Sequence, residues 1–97
     1  MQGREPERVI HHPTLTLRYF VNHSAPSRSS RSRVVVSTKV SKKATERNRL
    51  KRQIRAIWQR LTLPPGARVA IYTKPDALSL SFQELTNILT RLAKQIN

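Results

Sequence analysis

The spacing of apolar residues along the chain predicts three short strands. Residues 14–21 (TLTLRYFV) alternate between two faces and are rich in residues that favour strands, so they are predicted to form the first strand. Residues 33–38 (RVVVST) contain three consecutive valines and are predicted to form the second. Residues 67–73 (ARVAIYT) are predicted to form the third. Because residues 22–32 have the composition of a serine-rich loop, the first two strands are expected to pair as an antiparallel hairpin.

A helical spacing of apolar residues follows the second predicted strand. Its buried stripe is expected to contain Leu50, Ile54, Ile57, Trp58 and Leu61. Either Ser41 or Thr45 is suited to cap the start of this helix. Residues 61–66 (LTLPPG) are expected to end it, because two prolines and a glycine do not continue a helix. Trp58 is expected to anchor the helix in the core.

A second helix is predicted near the carboxyl end of the sequence. Ser81 is its expected N-cap, and Glu84 completes a capping box. Its buried stripe is expected to contain Leu85, Ile88, Leu89, Leu92 and Ile96. The resulting order β-β-α-β-α predicts an α+β fold, a small mixed sheet with two main helices. Residues 14–97 are expected to form a single domain after an extended or disordered lead-in, residues 1–13, which contains two prolines.

The charge of the chain indicates a polyanionic partner. Nineteen lysines and arginines against five acids give a formal net charge of +14 in 97 residues. Such a charge opposes compaction of a small domain, and binding of a polyanion relieves the repulsion. The region 28–60 carries most of the excess, with Glu46 as its single acid. Nucleic acid is therefore the leading partner, and an anionic membrane surface the weaker alternative.

The composition also excludes several classes of site. The chain has no cysteine, so disulfides and cysteine-ligated metals are excluded. It contains no apolar run of membrane-spanning length and no signal peptide, so a cytoplasmic protein without a membrane partner is expected. His11, His12 and His23 lack the spacing of metal ligands, and the acids are scattered. No catalytic and no metal-binding side chains are therefore expected.

One face of the first predicted helix concentrates positive charge. Arg47, Lys51 and Arg55 recur at intervals of four residues, and Lys43, Arg49 and Arg52 lie nearby in the sequence. A solvated helix face is the plain alternative, but such faces normally mix signs because opposite charges at this spacing stabilise the helix. A face of like charge instead favours a ligand. Guanidinium groups match phosphate oxygens, and Asn48 is able to contact a ribose or a base edge.

The surroundings of this basic helix resemble a known family. Residues 36–55 (VSTKVSKKATERNRLKRQIR) closely resemble the signature of the bacterial ribonuclease P protein subunit, with its Arg-Asn-Arg motif on a helix. The resemblance extends over residues 14–96. It implies a ribonucleoprotein endonuclease that removes the 5′ leader from precursor tRNA. In that family the RNA subunit performs the hydrolysis with RNA-bound Mg²⁺, and the protein holds no cofactor of its own. The implied partners are the catalytic RNA and precursor tRNA, with no obligate protein partner.

The resemblance also implies which residues contact RNA. In the family, the motif helix and the basic loop before it face the catalytic RNA. Carried over to this sequence, the contact residues are Lys39, Lys42, Lys43, Arg47, Asn48, Arg49, Lys51, Arg52 and Arg55. The family fold contains a left-handed crossover between the parallel strands that flank this helix. The predicted element order is compatible with that crossover.

The sequence departs from the family pattern in two places. Thr38 stands where members usually have the first lysine of a pair. Members usually begin with a basic helix that lines a cleft for the precursor's leader strand, and residues 1–13 are too short and too proline-interrupted to supply it. The remaining cleft is expected on the sheet face that bears Thr16, Arg18 and Phe20. The ring of Phe20 itself is expected to join the core.

Two other functions fit part of the sequence. A structural RNA-binding protein of the ribosomal-protein type, without a role in tRNA maturation, explains the charge but not the Arg-Asn-Arg motif. A nuclease that acts without RNA, or a DNA-binding module, is disfavoured because the acids that would hold metal ions are missing. The interpretation that explains both the charge and the motif is the protein subunit of a ribonucleoprotein enzyme.

Overall fold

The computed structural model describes residues 6–22 and 31–96 and has the predicted α+β class. Its strands and helices are β1 (Arg8–His11), β2 (Leu15–Val21), β3 (Arg31–Val35), α1 (Ala44–Trp58), β4 (Ala67–Thr73) and α2 (Phe82–Ile96), with a 3₁₀ turn at Pro75–Ser79. The four strands form one mixed sheet in the order β1-β2-β4-β3. β4 is antiparallel to β2 and parallel to β3. α1 therefore connects two parallel neighbours, and the left-handed sense of this crossover stays a prediction.

The predicted hairpin between the first two strands is wrong. β2 pairs with β1 and β4, whereas β3 pairs with the other side of β4. The alternation of apolar residues assigns each side chain to a face of the sheet, but it does not choose the neighbouring strand. The neighbour of β2 depends on the path of α1, which returns the chain from β3 to the position between β2 and β3, where β4 lies. β3 also begins and ends earlier than predicted, at Arg31–Val35.

The predicted lead-in contains a strand that the pattern did not indicate. Residues 8–11 form β1, which pairs with β2 so that Val9 lies opposite Arg18 and His11 opposite Thr16. Pro6 precedes this strand and Pro13 follows it, in positions where the missing N–H interrupts no ladder. The segment is too short and too polar to be recognised as a strand before its partner is known. Residues 1–5 lie outside the described part of the chain.

One apolar core joins the helices to a single face of the sheet. Leu15, Leu17 and Ile71 from the sheet are completely buried together with Ile54 of α1 and Leu89 of α2. Trp58 is 4% exposed in the same cluster, which confirms it as the core anchor of α1. The predicted stripe of α2 is confirmed as well, although Ile88 is only half-buried. The other face of the sheet carries no helix among the described elements.

The two helices begin in different ways. At α2 the predicted capping box is confirmed: the Glu84 carboxylate accepts a 2.8 Å hydrogen bond from the backbone N–H of Ser81, and Ser81 Oγ accepts a 3.1 Å bond from that of Glu84. At α1 both proposed caps are wrong. The N-cap position is Lys43, which makes no side-chain capping bond. Ser41 lies two residues before the cap and bonds to other groups, described below.

Candidate nucleic-acid interface

The basic side chains of α1 stand on a helix that is fixed by its opposite side. Leu50 and Ile54 are 2% and 0% exposed and hold α1 against the sheet. Because successive residues turn by about 100°, the positions between these anchors project away from the core. The same 15-residue helix therefore packs against the core with one side and presents basic side chains on its outer face. Its orientation relative to a ligand is set by the core, so binding does not have to order it.

The predicted RNA-contacting residues all lie on α1 or on the loop directly before it. Seven of these residues are exposed: Lys39, Lys42, Lys43, Asn48, Arg49, Arg52 and Arg55. Arg47 and Lys51 are half-buried. We call the whole set, these side chains with Arg47 and Lys51, the basic face. The structure places them on α1 and on the loop directly before it, while their contact with RNA stays a prediction.

Arg47 also makes a hydrogen bond within the domain. Its Nη1 donates a 2.9 Å hydrogen bond to the backbone oxygen of Ser41. Ser41 Oγ in turn donates to the carboxylate of Glu46 at 2.5 Å and accepts a 3.1 Å bond from the backbone N–H of Lys43. The first turn of α1 thereby holds the loop that carries Lys42 and Lys43. Arg47 is thus also a structural contact, which the sequence did not reveal.

A tight turn positions the start of the basic loop. The backbone N–H of Val40 donates to the Ser37 oxygen at 3.0 Å, and that of Lys39 donates to Ser37 Oγ at 3.2 Å. Val40 is 7% exposed and belongs to the core cluster. Its burial ties the turn to the body of the domain. Thr38 and Lys39 are left at the exposed tip.

The open face of the sheet forms a second candidate surface. The pairing of β2 with β4 puts Arg18 opposite Ala70 and Phe20 opposite Arg68, on the side away from the helices. A groove of about 310 Å³ runs over this side and is lined by Arg18 and Phe20 among other residues. The structure thereby brings Thr16, Arg18 and Phe20 to one face, as predicted. The expected core position of Phe20 is wrong, because its ring is half-buried and lines the groove.

Sequence reasoning missed several residues of this groove. The further described basic and aromatic side chains that line it are Arg31, Arg33, Arg68 and Tyr72. Arg33 Nη2 also donates a 3.3 Å hydrogen bond to the hydroxyl of Tyr72. The alternation in residues 67–73 was the available signal, since Arg68 and Tyr72 are on the half-buried positions that alternate with buried Ala67, Val69 and Ile71. Recognising them required knowing that β4 lies between β2 and β3.

The acidic side chains of the described chain are dispersed. Glu46 accepts a hydrogen bond from Ser41, and Glu84 accepts one at the start of α2. Oε1 of Glu7 lies 3.6 Å from Nε of Arg18. Within residues 6–22 and 31–96, no three His, Asp or Glu side chains come close enough to hold a metal ion together. His12 has a structural contact instead: its Nδ1 accepts a 3.2 Å bond from the backbone N–H of Thr14.

No helix in the described part of the chain is long and apolar enough to cross a membrane. Both helices have 15 residues, and the outer face of α1 is charged. The basic face and the groove on the sheet are two polar surfaces of the described chain. Both have arginines that suit phosphates, and the groove also has the aromatic rings of Phe20 and Tyr72.

Comparison with known proteins agrees with this chemistry. The sequence model of the ribonuclease P family, described as "Ribonuclease P", matches residues 4–97. The ribonuclease P protein component of Synechocystis sp. is 38% identical over 86 residues, which cover 87% of this chain and 68% of that protein. The corresponding protein of Thermus oshimai is 40% identical over 78 residues, covering 80% of this chain and 50% of the relative. This chain therefore spans about one half to two thirds of these relatives.

Solved structures share the fold. The ribonuclease P protein from Thermotoga maritima superposes with a TM-score of 0.80 at 25% identity, covering 94% of this chain and 84% of that one. The Staphylococcus aureus protein superposes with a TM-score of 0.78 at 19% identity and the same two coverages, a likeness of fold alone. Because the family match spans almost the whole sequence, the chain belongs to the ribonuclease P protein family.

Proposed function

We propose that this chain acts as the RNA-binding protein subunit of ribonuclease P and supports RNA-catalysed removal of the 5′ leader from precursor tRNA. Family membership supports the role of a subunit in a ribonucleoprotein. The observation that carries the proposal is the basic face. It presents the Arg-Asn-Arg motif, residues 47–49, on a helix whose other side is buried. Such a surface contacts the phosphates of a folded RNA, and its role is binding and not catalysis.

The basic face suits a compact RNA, in which phosphates of separate strands lie close together. Each arginine is able to donate two parallel hydrogen bonds to one phosphate, and several arginines together lower the repulsion between neighbouring phosphates. Because the core holds α1 in place, little conformational entropy is lost except in the side chains themselves. The catalytic RNA subunit is accordingly the partner that we assign to this face. Asn48 adds an uncharged contact among the cations.

The groove on the sheet suits a single strand, which we assign to the leader of the precursor. Proteins that hold single-stranded nucleic acid combine a positive groove with aromatic rings on which bases stack. Arg31, Arg33 and Arg68 supply the charge here, and Phe20 and Tyr72 supply the rings. The basic face and the groove lie on different parts of the domain, one on α1 and one on the uncovered side of the sheet. One chain is thereby able to contact the catalytic RNA and its substrate together.

Hydrolysis itself is assigned to the RNA partner and its bound Mg²⁺. The described contacts of three carboxylates fit this division, since Glu46 bonds within the basic loop, Glu84 caps α2 and Glu7 forms an ion pair with Arg18. Side chains of this chain therefore bind and position RNA in the proposal, and none transfers a proton at the scissile phosphate. His12 supports the turn at Thr14, and His11 lies on the sheet face. His23 falls outside the described residues.

Reconstitution tests the proposal directly. The purified chain is mixed with a bacterial ribonuclease P RNA at a Mg²⁺ concentration at which the RNA alone is nearly inactive, and cleavage of precursor tRNA is followed. We expect the chain to restore cleavage at the 5′ end of the mature sequence. A matched variant, with Arg47, Arg49 and Arg52 changed to Gln, should restore much less. If the wild-type chain binds the RNA yet leaves cleavage unchanged, it is a structural RNA-binding protein instead.

A further inference from the structure

The lining of the groove on the sheet contains one acid and four arginines. Among the described lining residues, Glu7 is the sole carboxylate, and its Oε1 lies 3.6 Å from Nε of Arg18. The side chains are 46% and 51% exposed respectively. An ion pair that is so accessible to water contributes little to folding. In a groove for a polyanion, moreover, a carboxylate repels phosphate, so neither stability nor general affinity accounts for it.

The acid lies on a particular side of the groove. Glu7 directly precedes β1, in which Val9 pairs with Arg18 at the edge of the sheet. The other three arginines of the lining, Arg31, Arg33 and Arg68, belong to β3 and β4 on the other side. The groove is therefore asymmetric. A single-stranded RNA in the groove has a lower electrostatic energy when its phosphates lie toward β3 and β4 and its bases toward β1.

Phe20 lies next to the acid–base pair. It follows Arg18 on the same face of β2, two residues along the strand, and lines the same groove. A base directed toward β1 would thus meet an aromatic ring, a carboxylate and a guanidinium. Single-stranded RNA is commonly read in this manner, with the base stacked on a ring and hydrogen-bonded along its Watson–Crick edge.

The pair of Glu7 and Arg18 matches one base better than the other three. The Watson–Crick edge of guanine presents two adjacent donors, N1–H and N2–H, beside the acceptor O6. A carboxylate has only acceptors and takes two donors side by side, while the guanidinium has only donors and fits O6. Uracil offers a single donor between two carbonyls, and adenine and cytosine each place a ring acceptor next to their amino group.

We propose that Glu7 and Arg18 select an unpaired guanine in the leader of the precursor tRNA. The proposal rests on the proposed function, in which the groove holds that leader. Glu7 accepts hydrogen bonds from N1–H and N2–H, Arg18 donates to O6, and the base packs against Phe20. Glu7 is therefore a specificity-determining residue, and its negative charge also keeps the phosphates on the side of Arg31, Arg33 and Arg68.

The experiment measures precursor affinity for the reconstituted holoenzyme. Precursors carry a leader of uridines with a single guanosine moved through successive positions, and the mature tRNA is the leaderless reference. At one position we expect guanosine to strengthen binding by about 5- to 100-fold over uridine, the range of a good bidentate base contact. Inosine at that position lacks the 2-amino group and should lose a large part of the gain. Adenosine should give almost none.

Variants separate base reading from charge. Glu7→Gln should abolish the preference for guanosine, because its amide presents a donor to one of the two guanine donors. The same change should leave the all-uridine precursor bound as tightly or a few-fold more tightly, since one negative charge is removed. Asp76→Asn is the matched control: it removes an exposed carboxylate in the 3₁₀ turn, away from the groove lining, and should keep the preference.

Each other outcome has a definite meaning. Equal tightening of every precursor by Glu7→Gln would show that the carboxylate acts by charge alone and would overturn the proposal. A wild-type preference for adenosine, or none, would overturn it too, while cleavage restored in the same preparation would leave the proposed function standing. If precursor and mature tRNA bind equally, the groove does not hold the leader and this inference fails with that assignment. Loss of the proposed function itself would appear separately, as a chain that restores no cleavage.

Discussion

The guanidinium of Arg47 donates a 2.9 Å hydrogen bond to the backbone oxygen of Ser41, six residues earlier in the chain. Arg47 is half-buried as a result, whereas Arg49 is exposed. Two arginines of one Arg-Asn-Arg motif therefore have different surroundings. The first holds the basic loop to α1, and the second is exposed on the helix surface.

This difference gives a prediction for single variants of the motif. Arg47→Ala should weaken binding of ribonuclease P RNA more than Arg49→Ala does, because it also releases the loop that carries Lys42 and Lys43. Each variant should flatten the log–log salt dependence by about 0.7–0.9 for each lost phosphate contact. Affinity measured at several salt concentrations, with hydrogen exchange at the amide of Lys43, checks both effects. Equal losses and unchanged exchange would contradict the role given to Arg47.

The basic face as a whole should bind with a strong salt dependence. If about five phosphates are contacted, the log–log slope should lie at roughly −3.5 to −4.5. Asn48→Ala should weaken binding with almost no change of slope, because it removes no charge. Arg52→Ala is the comparison that removes one exposed charge. A slope near zero for the wild-type protein would rule out this face as the main contact with RNA.

Trp58 should be essential for folding. Trp58→Ala removes a large side chain that is 4% exposed, and core changes of this kind destabilise by about 3–5 kcal/mol. That loss approaches the whole stability of many small domains. Trp58→Phe should cost much less, because the Trp58 Nε1 donor has no hydrogen-bond partner among residues 6–22 and 31–96, and its removal breaks no bond there. Chemical denaturation measures both, and similar losses for the two variants would contradict this account.

Phe20 should matter for the leader and not for the catalytic RNA. Phe20→Leu keeps an apolar side chain but removes the ring from the groove, and base–ring stacking contributes about 1–3 kcal/mol per base. We therefore expect the advantage of precursor over mature tRNA to fall by about 5- to 150-fold. Affinity for the catalytic RNA should change little, since Phe20 does not belong to the basic face. Loss of both affinities together would point to a folding defect, which circular dichroism would detect.

The histidines should not take part in hydrolysis. Replacement of His11, His12 and His23 by Gln should leave the single-turnover cleavage rate of the holoenzyme, at saturating protein, nearly unchanged. Side chains that act as general acids or bases typically contribute about 10²- to 10⁴-fold, so a loss above about tenfold would contradict the assignment of chemistry to RNA. The His12 contact with Thr14 makes a small loss of thermal stability the expected effect of the triple variant.

The sequence alone determined the class of fold, the two helices and the basic face. These features depend on local rules: the apolar spacing of residues 50–58 identifies a helix and its buried side, and Ser81 with Glu84 marks the start of α2. The positions between the apolar ones must then be exposed. The charge of the basic face could consequently be located before any contact was known.

Which strands are neighbours, and with that the composition of the groove, depends on contacts between distant parts of the chain. β3 lies beside β4 and not beside β2, because α1 returns the chain from β3 to the position between β2 and β3, which β4 occupies. Arg33 and Tyr72 meet across this pairing although 39 residues separate them. Glu7 reaches Arg18 only because a short polar segment forms the edge strand β1. Alternation assigns a side chain to a face within its own strand, whereas contacts between strands depend on the free energy of packing the entire chain.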